Sequence, residues 1–246
     1  MPVISTGLIS APLESLGYRS FSLKDDVRLR QNLRTAMDDR GVSISLGEGM
    51  VIVPHADVSD LRADLDVMAE LKVAQINTLS FDRDRIRTFD QLAMLTEMAA
   101  ERDIGTTLEL APGMTIGDPA TVVAAIAHVG RPDLRLTVDT MHWARSGYGA
   151  AELRELGPDK IGYVQLCDTT LKPRTKSYLE EAMYERMAPG DGELPLAEIL
   201  GAVPPDVIVG LEIPMRSLAE SGVGPVERLR PCVAAARELL AAAVRR

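Results

Sequence analysis

Two hydrophobic periods alternate along this chain, and that alternation restricts the folds open to it more than any other feature. Short runs of Val, Ile, Leu and Thr are each followed by a segment of helical spacing, the pattern of β/α units around a parallel sheet. The second half shows it best. Residues 106–110 (TTLEL) read as a strand, and Asp118-Pro119 then supply an N-cap and a first-turn proline. The helix they open carries Val122, Val123, Ile126 and Val129 as its apolar face. Residues 134–139 (LRLTVD) form the next strand, followed by a short helix at 150–156. Residues 161–166 (IGYVQL) form a third, followed by a long connection and a helix near 196–203. Residues 207–213 (VIVGLEI) form a fourth, and a helix from about Val226 presents Leu229, Val233, Leu239 and Leu240 as its buried stripe.

The first half repeats the alternation more loosely. Residues 20–23 and 42–46 read as strands around a helix carrying Leu29, Leu33 and Met37. A helix through Leu61, Leu65, Met68 and Leu71 leads to a strand at 74–79, and Thr88 with Gln91 resembles a capping box for the helix of Leu92, Leu95 and Met98. With a weaker strand at 3–9 the count reaches eight. The expected fold is an α/β (β/α)8 TIM barrel forming a single domain over residues 1–246, with a short or divergent first β/α unit. An open doubly wound sheet is disfavoured, because no G-x-G-x-x-G turn follows any strand.

Composition narrows the partners. Lys+Arg number 27 against Asp+Glu 36, a net charge of −9, so the basic footprint that nucleic acid requires is missing. Two cysteines, Cys167 and Cys232, supply neither a disulfide framework nor a zinc quartet. No run approaches the ~20 apolar residues of a membrane span, and residues 1–10 lack a basic, then apolar, leader pattern. A cytoplasmic globular protein is the expectation.

The chemistry is read from position. Each of the last four predicted strands carries a ligand-type residue near its C-terminal end: Glu109, Asp139, Gln165 and Glu212. A carboxylate within a strand of Leu, Val and Ile is costly to bury unless paired or metal-bound. In a β/α barrel the strand C-termini are where active sites are built. Alternation places Thr107 with Glu109, Thr137 with Asp139, Tyr163 with Gln165 and Gly210 with Glu212 on common faces. Three carboxylates and an amide oxygen make a hard, all-oxygen donor set, suited to Mg²⁺ or Mn²⁺ rather than zinc.

A second group surrounds these four. His142, three residues after Asp139 in DTMH, is placed on the loop leaving that strand, where it can polarise a substrate oxygen. Asp168 in QLCD can orient His142 or bind a hydroxyl. Arg186, before the Gly-rich turn in ERMAPGDGELP, and Arg145 in HWARSG are candidates to close over a ligand. Glu48 and His55 are weaker candidates for the mouth, His128 reads as a surface residue, and Cys167 as a packing residue rather than a nucleophile.

The stretches TTLELAP, LTVDTMHWARSG, YVQLCDT, ERMAPGDGELPL and VGLEIP resemble the xylose isomerase-like TIM barrels, which include sugar phosphate isomerases and epimerases, ketose 3-epimerases, and inosose and 3-dehydroshikimate dehydratases. The resemblance implies one divalent cation held by Glu109, Asp139 and Glu212, with Gln165 standing where the group usually has a histidine. It also implies that His142 and Arg186 contact substrate. The implied activity is isomerisation or epimerisation of a small polyhydroxylated substrate through a metal-stabilised enediolate, with Glu109 and Glu212 as base and acid. A dehydratase of the dehydroshikimate or inosose kind is the alternative, and a barrel that only binds a ligand is a third. A DNA-repair endonuclease of related fold is disfavoured by three histidines and the acidic charge. The same resemblance makes a homodimer an expectation.

Overall fold

Seven strands lie in one sheet in chain order, and at least one helix separates each from the next. The computed structural model describes residues 2–10 and 19–243. The elements are β1 (Val3–Gly7), α1 (Val27–Arg40), β2 (Ser43–Glu48), α2 (Arg62–Glu70), β3 (Gln75–Thr78), α3 (Arg85–Ala100) and β4 (Gly105–Glu109), then α4 (Pro119–Val129) and β5 (Leu134–Asp139). There follow α5 (Thr140–Arg145), α6 (Ala150–Leu156), β6 (Ile161–Leu166), α7 (Tyr178–Tyr184), α8 (Leu196–Leu200), β7 (Val209–Leu211), α9 (Arg216–Glu220) and α10 (Pro225–Ala243). The strand order and helical crossovers are those of the β/α-barrel class that the alternation predicts.

The chain forms two compact units, residues 1–109 with 113–136 and residues 110–112 with 137–246. In the first, β1 to β4 pair in parallel, with Gln75 opposite Gly105 and Thr78 opposite Leu108 setting the β3–β4 register. Leu46, Ile76 and Leu108 from the strands are fully buried, as are Leu65, Met68, Leu92 and Leu95 from α2 and α3. In the second, β6 pairs in parallel with β7, Gln165 opposite Gly210. There Tyr163 lies against Gly210, where a Cβ would stand 2.4 Å from the phenol oxygen, so only glycine fits beside it. Trp143, Leu153, Val164, Leu166 and Ile199 are buried in this unit.

Local chemistry explains most boundaries. Asp118 caps α4 through the Thr121 amide (2.7 Å), Pro119 stands in its first turn, and Gly130 closes it in the left-handed region. Every residue of β6 is buried, which is why that strand reads as a continuous apolar run.

Several expectations are corrected. Strands number seven among the described residues, because 20–23 forms no strand: Ser22 makes only an isolated antiparallel bridge to Ile9. The first crossover thus runs from β1 to α1, and its residues 11–18 lie outside the described residues. Thr88 and Gln91 do not cap α3. Asp84 does, one turn earlier, while the Thr88 hydroxyl meets Ser80 (2.9 Å) and Gln91 accepts from the Val58 amide (2.7 Å). On α4, Val123 is exposed and Ala125 takes the buried place; on α10, Leu229 is exposed and Cys232 and Ala236 are buried.

Candidate active site

The first unit holds a hydrogen-bonded set of two carboxylates and an amide. Glu109 ends β4 and Glu48 ends β2. Between them Asn77 of β3 donates from Nδ2 to Glu109 Oε2 (2.8 Å) and reaches Glu48 Oε2 at 3.4 Å. The Thr107 hydroxyl donates to Asn77 Oδ1 (3.2 Å), which fixes the amide with its NH₂ toward the carboxylates. Glu109 and Asn77 are both buried. His55 stands exposed in the left-handed region, and His128, in the last turn of α4, pairs with Asp90 at the surface as predicted.

The second unit brings Asp139, His142, Arg186 and Glu212 together. Asp139 ends β5 and also caps α5: its Oδ1 accepts from the His142 amide (2.8 Å), and its Oδ2 pairs with the Arg186 guanidinium. The cap draws His142 into the first turn of α5 rather than onto a free loop, which corrects the sequence placement. Arg186 Nη1 also lies 3.4 Å from Glu212 Oε2, and Arg186 Nε donates to the Ala182 carbonyl (2.7 Å). Arg186 is therefore a buried charge shared by two carboxylates. Gln165 is buried one residue from the end of β6.

Electrostatics follow from that arrangement. Burial works to raise the Asp139 carboxyl, but the charges of Arg186 and His142 and the His142 amide outweigh it and hold it below the ordinary range. The same carboxylates hold Arg186 well above its usual value, against its own burial. Burial pushes the Cys167 thiol up to about 12, in keeping with a packing role. His142 is lowered to about 4, chiefly by burial, with Arg186 adding to the effect and Asp139 opposing it.

An unfolded histidine titrates near 6.5, so between pH 6.5 and 4 the unfolded chain binds a proton at His142 that the folded chain refuses. Stability from this group is complete above pH 6.5 and is lost as the pH falls toward 4. Urea unfolding of metal-free protein is expected to show His142→Gln flattening that fall by roughly 2–3 kcal/mol. Parallel curves for the two proteins would contradict it.

Two predicted residues are committed elsewhere. Asp168 accepts from the amides of Thr169 (2.8 Å), Gly190 (2.9 Å), Gly192 (3.0 Å) and Leu194 (3.1 Å), so its carboxylate shapes the Gly-rich turn and does not reach toward His142. Gly192 is required there, since a Cβ would stand 2.3 Å from Asp168 Oδ1 and 2.5 Å from the Thr169 carbonyl. Arg145 ends α5, and its side chain is buried and pairs with Glu181 at 2.8 Å.

Three residues escaped the sequence reading. Tyr178 brings its hydroxyl to His142 Nδ1, Asn77 holds Glu109, and Glu181 binds Arg145. Asn77 carried a signal, being a second amide two residues after Gln75 and so on the same face of a short strand. Tyr178 and Glu181 sit on α7, whose Ser177 N-cap and acidic first turn mark a helix within what reads as a long connection.

The family model described as xylose isomerase-like TIM barrel matches residues 11–239. The chain belongs to that family. No curated protein matches it by sequence. Among solved structures it is similar to the IolI protein with a bound zinc atom, at a TM-score of 0.74 and 16% identity over 89% of this chain and 83% of that one. It is similar to an L-ribulose 3-epimerase, at a TM-score of 0.69 and 15% identity over 99% and 86% of the two chains. It is also similar to the probable 3-DHS dehydratase AsbF of petrobactin synthesis from Bacillus anthracis, at a TM-score of 0.64 and 16% identity over 80% and 81%. At these identities the likeness is one of fold. Among the described residues no helix is long and apolar enough to cross a membrane.

Proposed function

We propose that this protein is a divalent-metal-dependent isomerase or epimerase of a small polyhydroxylated carbonyl substrate. The observation that carries the reading is the meeting of Asp139 and Glu212, from the ends of two strands of the sheet, at one guanidinium. The oxygen donors of these two carboxylates suit a hard cation. Within the second unit the proposed ligands are Asp139 and Glu212 with the Gln165 amide, His142 standing beside Asp139 as the substrate-facing imidazole, and the sequence expectation adds Glu109 to the ligands. A bound divalent cation, with Mg²⁺ or Mn²⁺ the proposed identity, would chelate neighbouring carbonyl and hydroxyl oxygens and acidify the C–H between them.

The chain's own residues then divide the work. Glu109, oriented by Asn77, takes the proton from one face of the substrate carbon, and Glu212 returns one to the other face. His142, neutral and buried, donates a hydrogen bond to a substrate oxygen. Arg186 stabilises the negative charge that develops on substrate.

The expected result in D₂O is carbon-bound deuterium in a ketohexose incubated with the protein and Mn²⁺, abolished by a chelator and restored by the metal. Absence of exchange with a panel of ketoses, together with no thermal stabilisation by Mg²⁺ or Mn²⁺, would overturn the reading. The similarity to AsbF and the amide at Gln165 favour one second reading, loss of a β-hydroxyl as water. Its sign is ultraviolet absorbance growing from dehydroshikimate without deuterium in recovered substrate.

A further inference from the structure

Glu181 is a buried carboxylate that the chemistry above leaves unused. It lies on α7, fully shielded from solvent, and binds Arg145 Nη2 (2.8 Å), Thr169 Oγ1 (2.7 Å) and the Arg174 amide (3.1 Å). Arg145 in turn donates from Nε to the Thr170 carbonyl (2.8 Å) and from Nη2 to the Lys172 carbonyl (3.2 Å). Arg145 stands three residues beyond His142 on α5, so the pair ties the helix bearing His142 to α7 and to the connection between them.

The groups flanking Glu181 explain why that tie matters. Three residues before it, the Tyr178 hydroxyl meets His142 Nδ1, the rings 5.6 Å apart. One residue after it, the Ala182 carbonyl accepts from Arg186 Nε. A helix of seven residues has little stability of its own, so its placement comes from tertiary contacts. Its outward residues Leu179 and Met183 are exposed and contribute little packing. A charge-assisted hydrogen bond from Arg145 Nη2 to a buried carboxylate, by contrast, is directional and favours one placement of the two helices.

We propose that Glu181 is a positioning residue: through Arg145 it fixes α7 against α5, and so sets the His142 ring by way of Tyr178 and the Arg186 guanidinium by way of Ala182. The proposed function gives His142 and Arg186 their chemical meaning and is the reading on which this inference rests; the coupling itself is read without turnover.

The chain has three histidines, so protein labelled with ¹⁵N in its imidazoles gives few ring signals, and His142→Gln assigns the one that matters. In Glu181→Gln the His142 ring signals are expected to move toward their positions in Tyr178→Phe, while those of His55 and His128 stay put. A folded Glu181→Gln with His142 signals at wild-type positions would overturn the proposal, leaving Glu181 a stabilising residue only. So would Tyr178→Phe signals indistinguishable from wild type. Should Glu181→Gln fail to fold, Thr169→Val, which removes one hydrogen bond and keeps the ion pairs of Glu181 with Arg145 and Arg174, is expected to shift the same signals less and in the same direction. Unmoved signals in that variant overturn the proposal equally. Lack of activity on every ketose tested refutes the proposed reaction and leaves this result readable.

Discussion

Arg186→Met is expected to cost the metal-free protein about 3–5 kcal/mol, the range for breaking a buried ion pair by removing one partner. The methionine keeps the apolar stem and nearly the volume, so packing changes little. What is lost is the charge that lets Asp139 ionise while wholly buried and that Glu212 shares. For a chain of this length the midpoint of thermal unfolding should fall by on the order of 10 °C. Two further outcomes belong to the same expectation. Asp139→Asn in the Arg186→Met background should recover part of the loss, since the orphaned charge is then gone, and the double-mutant cycle gives the coupling directly. Mg²⁺ or Mn²⁺ should stabilise Arg186→Met more than wild type, because an added cation replaces a missing positive charge in one and joins an existing one in the other. Equal stability of wild type and Arg186→Met, measured by urea unfolding in chelator, would remove the buried pair from the account of this site.

That prediction lies beyond what the sequence discloses, and the reason is physical. Buried strands leave a local mark, so β6 at Ile161–Leu166 matches its largely apolar run residue for residue, and β5 at Leu134–Asp139, exposed only at Arg135, matches the segment LRLTVD. Caps are local too, and Asp118-Pro119 fixed the start of α4. Where a local pattern competes with a nearer partner it misleads: Thr88 and Gln91 have capping-box spacing, yet Asp84 already satisfies the first turn of α3. Residues 20–23 alternate like a strand but meet only Ile9. The strand-end acids were legible because a charge in an apolar strand is locally anomalous. The state of an arginine is not local. Arg186 lies 47 residues from Asp139 in sequence, and nothing in ERMAPGDGELP separates a solvated guanidinium from a buried one. Asp168 reads as a free ligand for the same reason, since the amides that fill it come from 22 to 26 residues away.

Glu212→Gln should separate two events that a single rate conceals. If protons leave one face of the substrate carbon to Glu109 and return on the other from Glu212, an amide at 212 blocks only the second transfer. Epimer formation is then expected to fall by about 10²–10⁴, the usual worth of a general acid or base. Exchange of the substrate's own C–H with D₂O should persist, because Glu109 still removes and returns a proton on its own face. Glu109→Gln should show the mirror behaviour, with exchange retained only when the epimeric sugar is the substrate. The fold should tolerate the change at Glu212: its side chain is 41% exposed and its link to Arg186 is a long 3.4 Å, so stability should move by less than about 1 kcal/mol. Exchange lost together with epimerisation in Glu212→Gln would mean that one carboxylate serves both faces. Both retained would take Glu212 out of proton transfer and leave it a ligand alone.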